Sequence, residues 1–200
     1  MEKIRADHKI IIEIIKDGST VLDLGCGKGE LLSTLTEKRH IRGQGIEIDQ
    51  NAIAECLRRG VNVLHGDLDQ GLSEYPDKSF NYVILNNSLP EVRHPDTILA
   101  EALRVGRQVL VGFPNFCNLR ARFQVGILGR VPVTRSLPRQ WYDTHNLHFL
   151  STEDFAVFCR DKKIKVLASY HLAGEHRIHF FRNLLSNFSL FLITQGNQIN

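Results

Sequence analysis

The stretch from Thr20 to Leu32, T-V-L-D-L-G-C-G-K-G-E-L-L, constrains the fold of this chain more than any other. Val21 to Leu24 is a short run, apolar but for Asp23, that begins β-branched, as a strand buried on both faces should. Glycine then recurs at alternate positions, Gly25, Gly27 and Gly29, before Leu31, Leu32 and Leu35 appear at helical spacing. A strand that turns through glycine directly into a helix is the first half of a βαβ unit, whose next strand lies parallel. Glycine in such a turn lets the backbone approach a ligand and is expected to offer it free N–H groups.

The rest of the chain repeats that alternation. Residues 4–16 carry Ile4, Ile11, Ile12 and Ile15 at helical spacing, and Asp17-Gly18 ends the helix. Further strands are expected within 42–49 and at 61–65, 80–85, 108–113, 165–170 and 190–194. One intervening helix turns Ile53, Cys56 and Leu57 inward and stops at Gly60. Another starts at Pro95 and runs to Val105, with Ile98, Leu99, Ala102 and Leu103 buried. Ser151, with Asp154 three positions later, caps a helix that buries Phe155, Phe158 and Cys159. The expected fold is α/β: a doubly wound, mostly parallel seven-stranded sheet with helices on both faces and an antiparallel last strand, Rossmann-like, in one domain over residues 1–200. Ligands of such sheets sit above the carboxyl ends of the central strands, where the glycine turn lies. Regular alternation stops between Pro114 and Phe149, an inserted connection with one short helical piece from Leu119 to Leu128. Connections that long inside a compact domain are as a rule functional. The last residues, Q-G-N-Q-I-N, read as a loose tail.

Charge and cysteine usage narrow the function classes. No apolar run approaches the ~20 residues of a membrane span, and the charged start M-E-K-I-R lacks a signal-peptide core. Four scattered cysteines without a C-x-x-C pair suit reduced thiols, so a cytoplasmic protein is expected, with no membrane partner. A net charge of +3 speaks against nucleic acid. The charge is unevenly spread, however. No acidic residue or lysine stands between Glu101 and Asp143, an interval holding Arg104, Arg107, Arg120, Arg122, Arg130, Arg135 and Arg139. It reads either as a solvated basic face or as one that binds an anion or a partner.

The glycine pattern D-x-G-x-G-x-G is one residue out of register with the dinucleotide fingerprint G-x-G-x-x-G, and it is not a nucleoside-triphosphate loop. Asp23 places a carboxylate in front of the turn, which would repel a pyrophosphate but suits an ammonium group. Glu47, 22 positions after Gly25 at the end of the second strand, suits the hydroxyls of a ribose. Asp67 can accept from an exocyclic amine, with Leu68 beside the ring. Ammonium, ribose and adenine without phosphate describe S-adenosylmethionine or its product S-adenosylhomocysteine. The expected binding residues are Asp23, Gly25, Cys26, Gly27 and Gly29 in the turn, Glu47 and Ile48, Asp67 and Leu68, and Asn86 at the end of the fourth strand.

With these residues the chain resembles the class I S-adenosylmethionine-dependent methyltransferases, and more narrowly the MetW family of methionine-biosynthesis proteins. The matching phrases include V-L-D-L-G-C-G-K-G-E-L-L (21–32), G-I-E-I-D (45–49), R-G-V-N-V-L-H-G-D-L-D-Q-G-L (59–72), F-N-Y-V-I-L (80–85), L-R-V-G-R-Q-V-L-V-G-F-P-N-F (103–116) and G-R-V-P-V-T-R-S-L-P-R-Q-W-Y-D-T-H-N-L-H (129–148). The last is the discriminating one, because general methyltransferases diverge most there. Two positions depart from the family: Asn81 stands where aspartate is common, and Asn86-Asn87-Ser88 replaces a Ser-Gln-Thr-like run. The resemblance implies a role beside homoserine O-acyltransferase (MetX), with a homodimer as the other assembly the reading admits. It carries the cofactor pocket further than it carries a chemistry.

Methyl transfer requires an acceptor held against the methyl group, often with a general base. The connection offers Trp141, Tyr142, Asp143, His145 and His148; Tyr142 or His145 would serve as base, and the alternative is a lid over the pocket or a protein contact. His145, His148 and Asp143 hint at a metal, but nothing else completes a four-ligand site, so no metal is expected. The stretch L-R-A-R-F-Q-V-G-I-L-G-R (119–130) is amphipathic and admits a protein partner, a membrane interface or a lid; the resemblance favours the partner.

Overall fold

The computed structural model describes residues 4–134 and 136–196; Arg135 of the arginine-rich interval and residues 197–200 of the expected tail lie outside the described residues. The elements follow in order α1 (Ala6–Ile14), β1 (Thr20–Leu24), α2 (Glu30–Arg39), β2 (Arg42–Glu47), α3 (Gln50–Arg58), β3 (Val63–His65), β4 (Phe80–Asn86), α4 (Pro95–Val105), β5 (Gly106–Pro114), α5 (Leu119–Gly126), α6 (Thr152–Asp161), β6 (Lys165–Ala173), β7 (His176–Arg177), α7 (Arg182–Leu185) and β8 (Phe188–Thr194). All strands join one sheet in the order β3-β2-β1-β4-β5-β8-β6-β7. β1 to β5 are parallel, and β8 runs antiparallel between β5 and β6. The order reverses at β1 and β4, which is the switch point of a doubly wound sheet.

Alternation along the central strands feeds two cores. Leu22 and Leu24 of β1 and Val83 and Leu85 of β4 pack with Ile98, Leu99 and Ala102 of α4 and Phe155 and Cys159 of α6. Val21 and Ile84 face the other way, onto Ile10 and Ile11 of α1 and Leu31, Leu32 and Leu35 of α2. Each fully buried Leu or Ile contributes roughly 1.5–3 kcal/mol. Asn81 staples β1 to β4: its Oδ1 accepts from Thr20 N at 2.9 Å and Thr20 Oγ1 at 3.0 Å, and its N–H donates to Thr20 Oγ1. Ser151 and Asp154 form the expected capping box at the start of α6.

Three details differ from expectation. The sheet has eight strands rather than seven. The eighth is the two-residue β7, folded back on Leu172 and Ala173 of β6. His and Arg at an exposed edge carry no apolar period, so nothing in the sequence marks them as a strand. Leu57 is 63% exposed rather than inward. α3 packs on β2 and the three-residue edge strand β3, so its buried stripe is narrow, and Ala52 and Cys56 fill it. The arginine-rich interval is also not one face. Arg104 is structural: it donates to Glu101, to Asp77 and to the carbonyls of Leu72 and Tyr75.

The connection after β5 begins with α5, capped by the Asn118 side chain on Ala121 N. It then returns as extended chain. Gln124 of α5 grips that return through both backbone groups of Val133. Further on, Leu147 N and His148 N both donate to Pro90 O, at 2.8 and 3.1 Å, which seats the segment over the carboxyl end of β4. Among the described residues no helix is long and apolar enough to cross a membrane.

Candidate functional site

A cleft of about 800 Å³ opens above the carboxyl ends of β1, β2 and β4. It is lined by Asp23 and the glycine turn, by Glu47 and Ile48, by Gly66 to Asp69, and by Asn86 to Ser88. Arg5 and His8 close one side from α1, and Thr144, His145 and Leu147 arrive from the connection.

Four N–H groups of the turn are internally satisfied. Gly25 N and Cys26 N both donate to Ile46 O, Gly27 N donates to Glu47 Oε2, and Gly29 N donates to Cys26 O. These four N–H groups are therefore engaged, while Lys28 N in the turn and Glu30 N at the start of α2 make no hydrogen bond with the described residues. β2 runs alongside and engages three of the four, Gly25, Cys26 and Gly27, through Ile46 O and Glu47. Gly25 has φ +75°, and a Cβ on it would stand 2.8 Å from Ser88 Cβ, so no other residue fits. Gly27 has φ +54° with open space where a Cβ would go, and it is the cleft itself that a side chain would enter. Cys26 turns its side chain beneath the turn. Its Sγ lies 3.9 Å from Cys56 Sγ, and a Cβ on Gly45 would meet it.

The three carboxylates expected from the sequence all line the cleft. Asp23 is 3% exposed and accepts no hydrogen bond from the described residues. Burial, with the Glu47 charge adding to it, pushes its carboxyl up to about 7. Such a group is relieved by a cation brought to it. Glu47 accepts from Gly27 N, Ile48 N and Asp49 N at 2.8, 2.8 and 3.0 Å. A carboxylate has about four lone-pair positions, so room remains for one hydroxyl, and a second would have to displace a backbone N–H. Asp67 caps Asp69 N at 3.0 Å and lines the cleft with Leu68. Asp69 in turn holds Arg93 N and fixes this turn against the segment before α4.

Of the other expected residues, Ile48 stands exposed at the rim. Asn86 lines the cleft, but its amide donates to Asp7 Oδ2 at 2.9 Å, and its buried Oδ1 lacks a partner. His145 lines the cleft. Tyr142 does not: it is 72% exposed and stands edge-on to Trp141, outside the cleft lining. Among the described residues no group of three or more His, Cys, Asp or Glu is placed to hold a metal.

Sequence reasoning missed two contributions. The first is the R-A-D-H start of α1. Arg5 holds Asp7 through two bonds, of 3.1 and 2.7 Å, and Asp7 holds Asn86. Burial alone would raise Asp7, but Arg5, Asn86 and His8 outweigh it and hold its carboxyl below the usual range. Charged residues on the buried side of an isoleucine-rich helix were the available signal. The second is Glu91, whose carboxyl burial raises, with His145 and Arg139 pulling it back. Glu91 lines both the cleft and a smaller chamber of about 140 Å³ beneath the connection; Asn87, Thr144 and His145 are shared by the two spaces as well.

A family model described as methionine biosynthesis protein MetW matches residues 5–193. The bifunctional methionine biosynthesis protein MetXA/MetW of Rhodopirellula baltica is 36% identical over 160 residues, 76% of this chain. The matched stretch is 26% of that relative, so the chain spans about a quarter of its length. A solved SAM-dependent methyltransferase from Archaeoglobus fulgidus superposes with a TM-score of 0.68 at 17% identity, covering 95% of this chain and 92% of that one. Another, from Aquifex aeolicus, gives 0.63 at 17% identity over 94% and 89%. At these identities the likeness is one of fold.

Proposed function

This chain belongs to the MetW family, and from that premise we propose that it is an S-adenosylmethionine-binding accessory protein of methionine biosynthesis that acts with homoserine O-acyltransferase. The observation that carries the cofactor is Asp23, a buried carboxylate without an internal hydrogen-bond partner, lining the cleft beside the glycine turn. Asp23 would hold the ammonium group. Glu47 would take a ribose hydroxyl, and Asp67 with Leu68 would take the adenine. The bound cofactor carries a methyl group on a sulfonium sulfur. The relative that joins MetXA and MetW in one name supports the acyltransferase as partner. On this reading the cleft senses the nucleoside made downstream of methionine and adjusts the acyltransferase. Calorimetric titration with S-adenosylmethionine and S-adenosylhomocysteine tests the pocket; Asp23→Ala and Glu47→Ala are expected to lose binding. Acyltransferase rate with and without S-adenosylmethionine tests the regulation, and an unchanged rate and complex affinity would count against it.

A second reading, a methyltransferase for a small anionic acceptor, is favoured by the adjoining chamber. Glu91 stands at the junction, where a carboxylate raised by burial could take the proton an acceptor loses. Release of S-adenosylhomocysteine during incubation with small carboxylate-bearing acceptors, lost in Glu91→Gln with cofactor binding kept, would favour this reading.

A further inference from the structure

We propose that the outer face of α5, together with the extended chain that returns beside it, is the surface on which the acyltransferase docks, through an apolar centre ringed by carboxylates on the partner. The inference rests on the functional reading above and adds to it where contact is made.

α5 buries Ala121 and little else. Leu119, Phe123 and Leu128 are each more than half exposed, and Ile127 is 72% exposed. With Val131 and Trp141 from the returning chain, Leu119, Phe123 and Leu128 line an open groove of about 1110 Å³, and Ile127 adds exposed apolar surface just past the end of α5. On the far side of α5, Arg122 lines a second depression with Phe180 and Phe181, which are 80% and 76% exposed. A monomer has no use for so much aromatic and aliphatic surface in one region. Its composition of Phe, Trp, Leu and Arg, without lysine, is that of the buried centre of a protein interface.

Charge selects the occupant. Arg120 and Arg130 line the groove and have no ion-pair partner among the described residues. No acidic residue occurs from 102 to 142 to answer them. The second depression adds one carboxylate, Glu153. A second copy of this face would oppose arginine with arginine, whereas a partner bearing Asp and Glu around an apolar knob would complement it. The MetXA/MetW relative, in which a MetW-like stretch is 26% of one polypeptide, is in keeping with a face that works against an acyltransferase.

The test uses the full chain and the purified homoserine O-acyltransferase of the same organism, with binding read by biolayer interferometry. Phe123→Glu and Ile127→Glu are compared with Leu57→Glu, which changes an equally exposed leucine on α3 at the other edge of the sheet. S-adenosylmethionine binding is measured on every variant to show that the fold is kept. Loss of about tenfold or more in affinity for the first two, with Leu57→Glu unchanged, supports the surface. Equal binding by all four proteins overturns the surface and leaves the acyltransferase reading standing. Failure of the unsubstituted chain to bind overturns both. Two other results overturn the surface in favour of another occupant. One is co-pelleting with phosphatidylglycerol vesicles that the two variants abolish. The other is a concentration-dependent dimer, seen by sedimentation, that they abolish.

Discussion

Asp23 concentrates the chemistry of the site in one side chain. Its carboxyl titrates near 7 in the folded chain because burial, and Glu47 after it, disfavour the charged form. The folded chain therefore keeps a proton that the unfolded chain releases in the ordinary carboxylate range, so this residue's contribution to stability falls as pH rises from about 4 to about 7 and is flat above that. Thermal unfolding at several pH values should show this slope in the unsubstituted protein and a weaker one in Asp23→Asn. Ligand binding should run the other way. An ammonium group needs the ionised carboxylate, so affinity for S-adenosylmethionine is expected to rise with pH through about 7, with proton release measurable by calorimetry in buffers of different ionisation enthalpy. At Gly25, substitution by Ala should cost at least the ~1–2 kcal/mol of a left-handed backbone, because the added methyl also meets Ser88. Its readouts are melting temperature and cofactor affinity together. Asp23, Glu47 and Asp67 were legible because their distances from the turn are set by strand and helix lengths. The engagement of Glu47 by three N–H groups was not, since it depends on how tightly β2 lies against the turn. Asn81 is the opposite case: its oxygen accepts from Thr20 as a carboxylate would, so Asn81→Asp should bind cofactor equally well.

At the level of elements, the parallel strands and the helices between them were read from period and caps, and their bounds moved by only a few residues. α6 illustrates why: Ser151 and Asp154 announce its start and then make both bonds of the capping box. Ser151→Ala should cost about 0.5–2 kcal/mol, checked by denaturant unfolding, with cofactor affinity unchanged because α6 lies outside the cleft. The connection after β5 was legible as an interruption but not as a shape. Its path is fixed by long-range bonds such as Leu147 N and His148 N to Pro90 O, for which sequence has no period. That path is also why His145 reaches the cleft while Tyr142, three residues earlier, stays in solvent.

For the whole molecule, the two-sided core and the preformed turn predict that ligand adds stability without building the fold. S-adenosylmethionine at a hundred times its Kd should stabilise the chain by about 2.7 kcal/mol, a melting shift of roughly 5–10 °C for a domain of this size, and Asp23→Asn should show none; differential scanning fluorimetry checks both. The sheet carries a further consequence in time. β8 lies between β5 and β6 yet is made after both. During synthesis β1 to β5 can pair as they emerge, while β6 waits unattached and β5 presents an open edge. The sheet closes when residues 188–194 leave the ribosome and slide into the gap. A nascent chain stalled before Phe188 thus holds the glycine turn on a sheet that is still unsealed.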